Sequence, residues 1–161
     1  MTQFGWADCS EPVRSQVLRL VQGLNNALGA TLRGVYLHGS LAMGCFNPLR
    51  SDIDRLVLID AELTAAQRHA LVALLPTISA QPAPIELSVL SAAALTPWRH
   101  PAPYELHYGE SWRAAYLARP ETITGGLDAD LAGHMTVARE RGIALFGPEP
   151  RTTLPEPPRE D

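Results

Sequence analysis

The sequence has 161 residues, of which 46% are hydrophobic, and this length and composition predict one globular domain with a packed core. Lysine is absent, the formal net charge is −4, and the 13 arginines form no basic block or stripe, which excludes a surface built mainly for contact with nucleic acid. No apolar run approaches the roughly 18 to 20 residues that span a bilayer, and the N-terminus lacks the pattern of a secretory signal, so we predict a cytoplasmic protein without a membrane partner.

The first third of the chain predicts a helix, a strand and a second, short helix. Apolar residues recur at three- and four-residue spacing over residues 11–29, and Ser10 precedes them as the N-cap. Residues 32–38 predict a strand, and a short helix begins near Ser40. The free N–H groups at the start of that helix would face a phosphate.

Two aspartates one residue apart open the next predicted strand, residues 53–60, whose continuous apolar run is typical of a strand buried on both faces. Because side chains alternate along a strand, Asp52 and Asp54 point to the same side, about 6.7 Å apart. An Asp-x-Asp pair alone is usually solvated charge. Here Ser51 and the strand flank it, which favours a site for Mg²⁺, a cation usually held by one or two carboxylates and substrate phosphates.

A third acid lies on a later strand. Residues 64–78 predict a helix, and residues 84–90 predict a strand on which Glu86 and Ser88 share one face. Taken alone, Glu86 would be a solvent-facing strand residue. Beside the two aspartates it is the natural third member of an acidic cluster, able to ligate a metal or to accept the proton of an attacking hydroxyl.

The rest of the chain completes a mixed pattern of helices and strands. The predicted elements are a strand at 104–108, a helical turn at 111–118, a helix at 128–141 and an edge strand at 143–146. Residues 148–161 are rich in proline and charge and are interpreted as a tail or linker after a domain of residues 1–147. The order of elements predicts an α/β or α+β fold, with helices packed mainly on one face of a mixed sheet.

The combination of Gly39-Ser40, Gly44 and Ser51-Asp-Ile-Asp54 resembles the signature of the nucleotidyltransferase superfamily related to DNA polymerase β. Further segments resemble, in order and spacing, the N-terminal domain of the aminoglycoside adenylyltransferases that modify streptomycin and spectinomycin. These segments are residues 38–44, 51–54, 85–89, 104–112, 127–132, 138–139 and 143–148. The resemblance implies the nucleotidyltransferase fold.

The resemblance also implies an enzyme of antibiotic resistance that transfers AMP from ATP to a drug hydroxyl, with Mg²⁺ as cofactor. It assigns Gly39, Ser40 and Ser51 to the nucleotide. It assigns Asp52 and Asp54 to the metal. The implied partners are a nucleotide and a small-molecule acceptor, and no nucleic acid is expected.

Three further residues bear on catalysis. The resemblance assigns Glu86 as the base for the acceptor hydroxyl. Trp112 is a candidate wall of the acceptor site, and on the alternative interpretation it is a core aromatic. The five histidines form no ligand-spaced cluster and are predicted to be structural, with His107 the one mild candidate for the site.

Two features depart from the family pattern. Family members continue past residue 148 into an α-helical second domain, so the chain is a fragment, is completed by a homodimer or partner protein, or is a solitary domain with another acceptor. Arg55 stands where family strands have an apolar residue, on the side expected to meet helices. Because a buried arginine needs a partner, it would reach an edge, pair with an acid or mark an interface.

Two rival functions use the same motifs. A solitary minimal nucleotidyltransferase of the antitoxin type would adenylylate a partner protein. A degenerate domain would bind nucleotide or another subunit without catalysis. The Gly-Ser and Asp-x-Asp motifs do not discriminate between them.

Overall fold

The computed structural model describes residues 2–159 of the chain. The strands are β1 (Leu32–His38), β2 (Ile53–Ile59), β3 (Ile85–Ser91), β4 (Ala102–Tyr104), β5 (Leu106–Tyr108), β6 (Gly126–Asp128) and β7 (Ile143–Phe146). The helices are α1 (Glu11–Leu28), α2 (Gly39–Met43), α3 (Ala65–Ile78), α4 (Arg113–Ala118), α5 (Leu131–Arg141) and α6 (Pro150–Thr153). Within the described residues, no helix has the length and apolar character needed to cross a membrane.

Strand β2 lies at the centre of a five-stranded sheet with the order β5-β3-β2-β1-β7. It pairs antiparallel with β1 and parallel with β3. This register places Asp54 level with His38 on one neighbouring strand and with Glu86 on the other. Strands β4 and β6 form a separate two-stranded sheet.

The two faces of the sheet are covered by different helices. On one face, α1 and α3 pack against a large apolar cluster that includes Val35, Val57 and Val89. On the other face, α5 packs against a smaller cluster that includes Leu56 and Leu58. Each fully buried aliphatic side chain of this kind contributes about 1.5–3 kcal/mol through the hydrophobic effect. Burial on both faces explains why β2 is a continuous apolar run after its first residues.

Local sequence signals set the ends of the long helices. Helix α1 begins after Ser10 with a proline in its first turn, and Gly29 at its C-terminal end has a left-handed φ of 56°. Helix α3 begins with a capping box: the Thr64 hydroxyl accepts from the Gln67 N–H at 3.1 Å, and the Gln67 side chain accepts from the Thr64 N–H at 3.0 Å. The predictions of α1, β1, β2, α3 and β3 are confirmed to within a residue or two.

The single strand predicted at 104–108 is wrong, because two strands with different partners occupy this segment. Strand β4 pairs with β6, whereas β5 pairs with β3. Between them, the Glu105 N–H donates to the Val89 carbonyl at 2.7 Å. Helix α5 begins at Leu131, three residues later than predicted, because residue 128 is held in β6 opposite Ala102.

Part of the predicted tail packs against the domain. Helix α6 lies in this segment, and Leu154, which follows it, is 2% exposed within the smaller cluster. The Tyr36 hydroxyl hydrogen-bonds to Thr153. The Arg139 guanidinium donates to the carbonyl oxygen of Arg151 at 3.2 Å. These contacts attach the segment to β1 and α5, while the domain boundary at residue 147 stays a prediction.

Candidate active site

The three predicted acids come together where β2 and β3 begin. Asp54 and Glu86 are level neighbours across the parallel pair of strands. Asp52 is exposed in the loop directly before β2 and is close enough to both for their carboxylates to influence one another. Residues 54 and 86 are far apart in the sequence, and the parallel pairing of β2 with β3 brings them together.

The cluster is electrostatically unfavourable without a cation. Burial, reinforced by the carboxylates of Glu86 and Asp52, raises the pKa of Asp54 to about 7, and Arg55 acts in the opposite direction. Burial also raises the pKa of Asp52, with Glu86 acting in the same direction. Like charges this close disfavour full ionisation, so a bound cation would relieve the repulsion.

His38, the β1 residue level with Asp54, does not offset this charge. His38 lies level with Asp54 and is 7% exposed. Burial lowers the pKa of His38 to about 4, and the nearby His134 acts in the same direction. The imidazole of His38 is therefore neutral at physiological pH.

Gly39 lies directly against the Asp54 carboxylate. Its φ is +70°, in the region that favours glycine, and a Cβ built there would lie 2.1 Å from Oδ2 of Asp54. Any side chain at residue 39 would therefore displace the carboxylate. Helix α2 starts at this residue, and Ser40 is half-buried in its first turn. The sequence-predicted Gly-Ser motif and the Asp-x-Asp motif are adjacent in space.

Ser51 stabilises the loop before the aspartates. Its hydroxyl oxygen accepts from the Asn47 N–H at 2.9 Å, and its own N–H donates to the Asn47 carbonyl at 2.8 Å. The hydroxyl hydrogen remains available for donation, because the oxygen acts here as an acceptor. The predicted contact of Ser51 with a nucleotide stays a prediction.

His107 lies beside Glu86 on the side of β5, and Trp112 packs against His107. The Nε2 atom of His107 lies 4.0 Å from Oε1 of Glu86, and the indole ring of Trp112 meets the imidazole edge-on at 6.2 Å between centroids. Trp112 is 42% exposed, which argues against the core-aromatic alternative. Its role at an acceptor site stays a prediction.

Glu110 is a nearby acid that the sequence did not single out. It acts with Glu86 to raise the pKa of Asp52, after burial. Its carboxylate accepts a hydrogen bond from the Ser79 hydroxyl, whose oxygen accepts from the N–H of Ile85 at 3.0 Å. This chain of contacts fixes the residue before Glu86. No sequence signal could reveal it, because it depends on the register of β5 beside β3.

Arg55 is buried on the opposite face of β2. It is 1% exposed, and its three guanidinium nitrogens have no hydrogen-bond partner among the described residues. Burial lowers its pKa to about 9, with Asp54 acting in the opposite direction. Of the sequence-based alternatives, the structure shows neither a side chain that reaches an edge nor a hydrogen-bonded pair with an acid, and its burial leaves no surface for an interface.

The donor set suits a hard cation that is shared with a substrate. Within residues 2–159, no three His, Cys, Asp or Glu side chains form a ready-made metal group. Mg²⁺ does not require one, since one or two carboxylates and substrate phosphates usually hold it. Asp52 and Asp54, with only oxygen donors, fit that mode.

Comparisons with known proteins agree with this architecture. No family model matches the chain. The chain is 35% identical over 158 residues to an aminoglycoside (3'') (9) adenylyltransferase from Klebsiella pneumoniae, an alignment that covers 92% of this chain and 58% of that protein. It is 30% identical over 155 residues to a spectinomycin 9-adenylyltransferase from Staphylococcus aureus, with 92% of this chain and 59% of that protein covered.

A solved structure has the same fold. The crystal structure of the spectinomycin adenyltransferase AAD(9) from Enterococcus faecialis with ATP and spectinomycin matches with a TM-score of 0.79 and 25% identity, covering 90% of this chain and 60% of that one. The chain thus spans 58% to 59% of the length of the curated relatives above. The predicted fold class and the predicted resemblance are confirmed.

Proposed function

Since the chain is a homologue of the aminoglycoside and spectinomycin adenylyltransferases, we propose that it transfers AMP from ATP to a hydroxyl group of an aminoglycoside-like antibiotic. The supporting observation is the level placement of Asp54 and Glu86 on neighbouring strands, with Gly39 directly against the first carboxylate. This arrangement puts candidate residues for the metal, the phosphates and the base within one small region of the molecule.

Asp52 and Asp54 would hold Mg²⁺, and Gly39-Ser40 would contact the triphosphate. The missing side chain at residue 39 leaves the backbone close to the Asp54 carboxylate, so a phosphate held there would reach the same cation. Mg²⁺ bound at this position would stabilise the charge that develops on the phosphates during transfer. The mutual repulsion of the carboxylates favours the loaded state, because the cation neutralises it.

Glu86 would act as the general base. Its side chain is 41% exposed, so an acceptor hydroxyl has access to it. The hydroxyl oxygen would form a bond to the α-phosphorus as its proton passes to the Glu86 carboxylate. The bond from the α-phosphorus to the bridging oxygen of pyrophosphate would break, and pyrophosphate would leave with that electron pair.

The charge of the site suits a cationic drug. Glu86 and the half-exposed ring of Trp112 lie on the proposed acceptor side, and aminoglycosides carry ammonium groups that carboxylates attract. We propose Trp112 as a wall of the acceptor site. Completion of that site by a second copy or a partner protein is a further hypothesis.

The test is transfer of label from ATP to a drug. The chain is incubated with Mg²⁺, with streptomycin or spectinomycin, and with ATP labelled at the α-phosphate or, in a parallel reaction, at the γ-phosphate. We expect the α-label alone to enter the drug, and Glu86→Gln to abolish transfer. Transfer of the γ-label, or transfer of AMP to a protein and to neither drug, would overturn the proposal.

A further inference from the structure

The imidazole of His107 lies beside the proposed base and has no part in the reaction described above. Strands β3 and β5 pair antiparallel, with Ser88 directly opposite His107. Glu86 is two residues before Ser88 on the same face, so it is the diagonal neighbour of His107. Long and aromatic side chains reach each other across such a diagonal.

Contacts on several sides hold the imidazole ring. Its Nδ1 atom lies 2.9 Å from the hydroxyl oxygen of Ser88, which is itself 5% exposed. The rings of Tyr104 and Trp112 lie 5.9 and 6.2 Å away between centroids. The ring therefore has a fixed orientation with Nε2 toward Glu86.

We propose that His107 is a positioning residue for Glu86, an inference that rests on the proposed function: its Nε2–H orients the carboxylate that accepts the acceptor's proton. The separation of 4.0 Å between Nε2 and Oε1 is longer than a hydrogen bond. A small rotation of the half-exposed Glu86 side chain closes that gap, whereas the imidazole is held in place.

The chemistry of the two groups selects one tautomer. A carboxylate only accepts hydrogen bonds, so Nε2 must carry the proton to bind Glu86. Nδ1 is then an acceptor, and the Ser88 hydroxyl donates to it. Burial lowers the pKa of His107, against the opposing effects of Glu86 and Asp128, which agrees with a neutral ring. Glu86 thus selects the tautomer, and the Ser88 hydroxyl, which can donate or accept, holds the ring in the orientation that presents Nε2–H to Glu86.

The alternative is that His107 only ties β5 to β3 through Ser88. Two substitutions separate the roles, because Gln places its amide nitrogen near the position of Nε2, whereas Asn reaches only the position of Nδ1. His107→Gln keeps a donor for Glu86. His107→Asn keeps a partner for Ser88 and loses the donor. The exposed His69 on α3 supplies the control variant His69→Gln.

The kinetic test compares kcat and KM for AMP transfer. We expect His107→Asn and His107→Ala to lower kcat by about 10- to 100-fold, the usual effect of removing a group that orients a functional ligand, with KM for ATP unchanged. His107→Gln should recover most of the loss, and His69→Gln should match the parent. Full activity in His107→Asn, or no recovery in His107→Gln, would overturn the positioning role.

A second measurement does not depend on turnover. Imidazole ¹⁵N NMR of the metal-free chain should show the Nε2–H tautomer for His107, and Ser88→Ala should shift its Nδ1 resonance. The Nδ1–H tautomer would overturn the proposal even in an active enzyme. A parent chain that shows the expected tautomer and transfers no AMP would instead count against the proposed function.

Discussion

The two faces of β2 carry charges of opposite sign that differ in their access to solvent. On one face, Asp54 stands beside Glu86 and reaches solvent near the start of the strand. On the other face, the next residue, Arg55, is enclosed between the sheet and its helices with no hydrogen-bond partner among the described residues. Within the part of the chain that the structure describes, neither charge forms a close ion pair, yet only the first is accessible to a ligand.

This difference in access decides whether a charge can bind a ligand or only lowers the stability of the fold. An accessible cluster of like charges gains free energy when a cation binds, so its repulsion in the free chain becomes binding energy. An enclosed charge that no ligand reaches gains no such binding energy, and its desolvation lowers the stability of the fold. The substitutions below test each face of β2. Each is compared with a matched control variant, either beyond the other end of the strand or at the protein surface.

The largest effect is expected on the acidic face. Asp54→Asn removes the charge of the proposed metal ligand at nearly constant volume, so AMP transfer should fall by at least about 100-fold, as when an electrostatic stabiliser of a transition state is removed. Asp60→Asn changes an exposed aspartate that bonds to Arg33 at 3.2 Å, just beyond the other end of β2, and should be neutral. Equal activity in the two variants would contradict the assignment.

On the enclosed face, Arg55→Met should stabilise the chain. Replacing buried charge with an apolar side chain of similar length is often neutral or stabilising by about 1–4 kcal/mol, and among the described residues the guanidinium makes no hydrogen bond that the substitution would break. Arg33→Met is the control, since Arg33 is exposed on β1 and should change stability by less than about 0.5 kcal/mol. Urea unfolding measures both, and a destabilised Arg55→Met would show that the guanidinium has an essential partner.

The contact between the Gly-Ser motif and the Asp-x-Asp motif is tested by substituting alanine for each of two glycines. Gly39→Ala and Gly29→Ala both place a side chain in the left-handed region, at a cost of about 1–2 kcal/mol. Only the first adds a clash with Asp54, since nothing lies within 4 Å of a Cβ at residue 29. We expect greater destabilisation, and weaker binding of ATP with Mg²⁺, in Gly39→Ala. Identical behaviour of the two variants would contradict the close approach.

The last comparison concerns the pH dependence of stability. The pKa of Asp54 is raised from 3.8 to about 7, so the folded chain keeps a proton that the unfolded chain loses. Its stabilising contribution is complete below about pH 4 and is lost as the pH rises through about 7, by at most about 1.4 kcal/mol per pH unit. Urea unfolding without metal should show this loss relative to Asp54→Asn, and a constant difference between the two would be inconsistent with it.

Much of the fold could be predicted because its signals are local. Apolar patterns predict β1, β2 and β3, as a continuous run in β2 and as alternation in β3, and the sequence from Thr64 to Gln67 contains a capping box. The grouping of Asp52, Asp54 and Glu86 also follows from alternation along strands and from the family pattern. The apolar patterns and the capping box require no knowledge of which strands pair, whereas the closeness of Glu86 to the two aspartates depends on the pairing of β2 with β3.

The remainder depends on contacts between distant segments. The break at Glu105 exists because β4 and β5 join different sheets. The partner of β4 is β6, which lies some twenty residues later in the sequence. The links from Glu110 to Ser79 and from His107 to Ser88 depend on the pairing of β3 with β5. The sequence predicts that Arg55 needs a partner, but only the structure shows that its guanidinium has no hydrogen-bond partner within residues 2–159.

The most direct measurement is calorimetric titration of ATP into the chain with and without Mg²⁺. The account predicts binding that requires the metal, is lost in Asp54→Asn and is retained in Asp60→Asn. Equal binding of ATP in the absence of Mg²⁺, or undiminished binding by Asp54→Asn, would contradict the claim that the acidic face of β2 is a triphosphate and metal site.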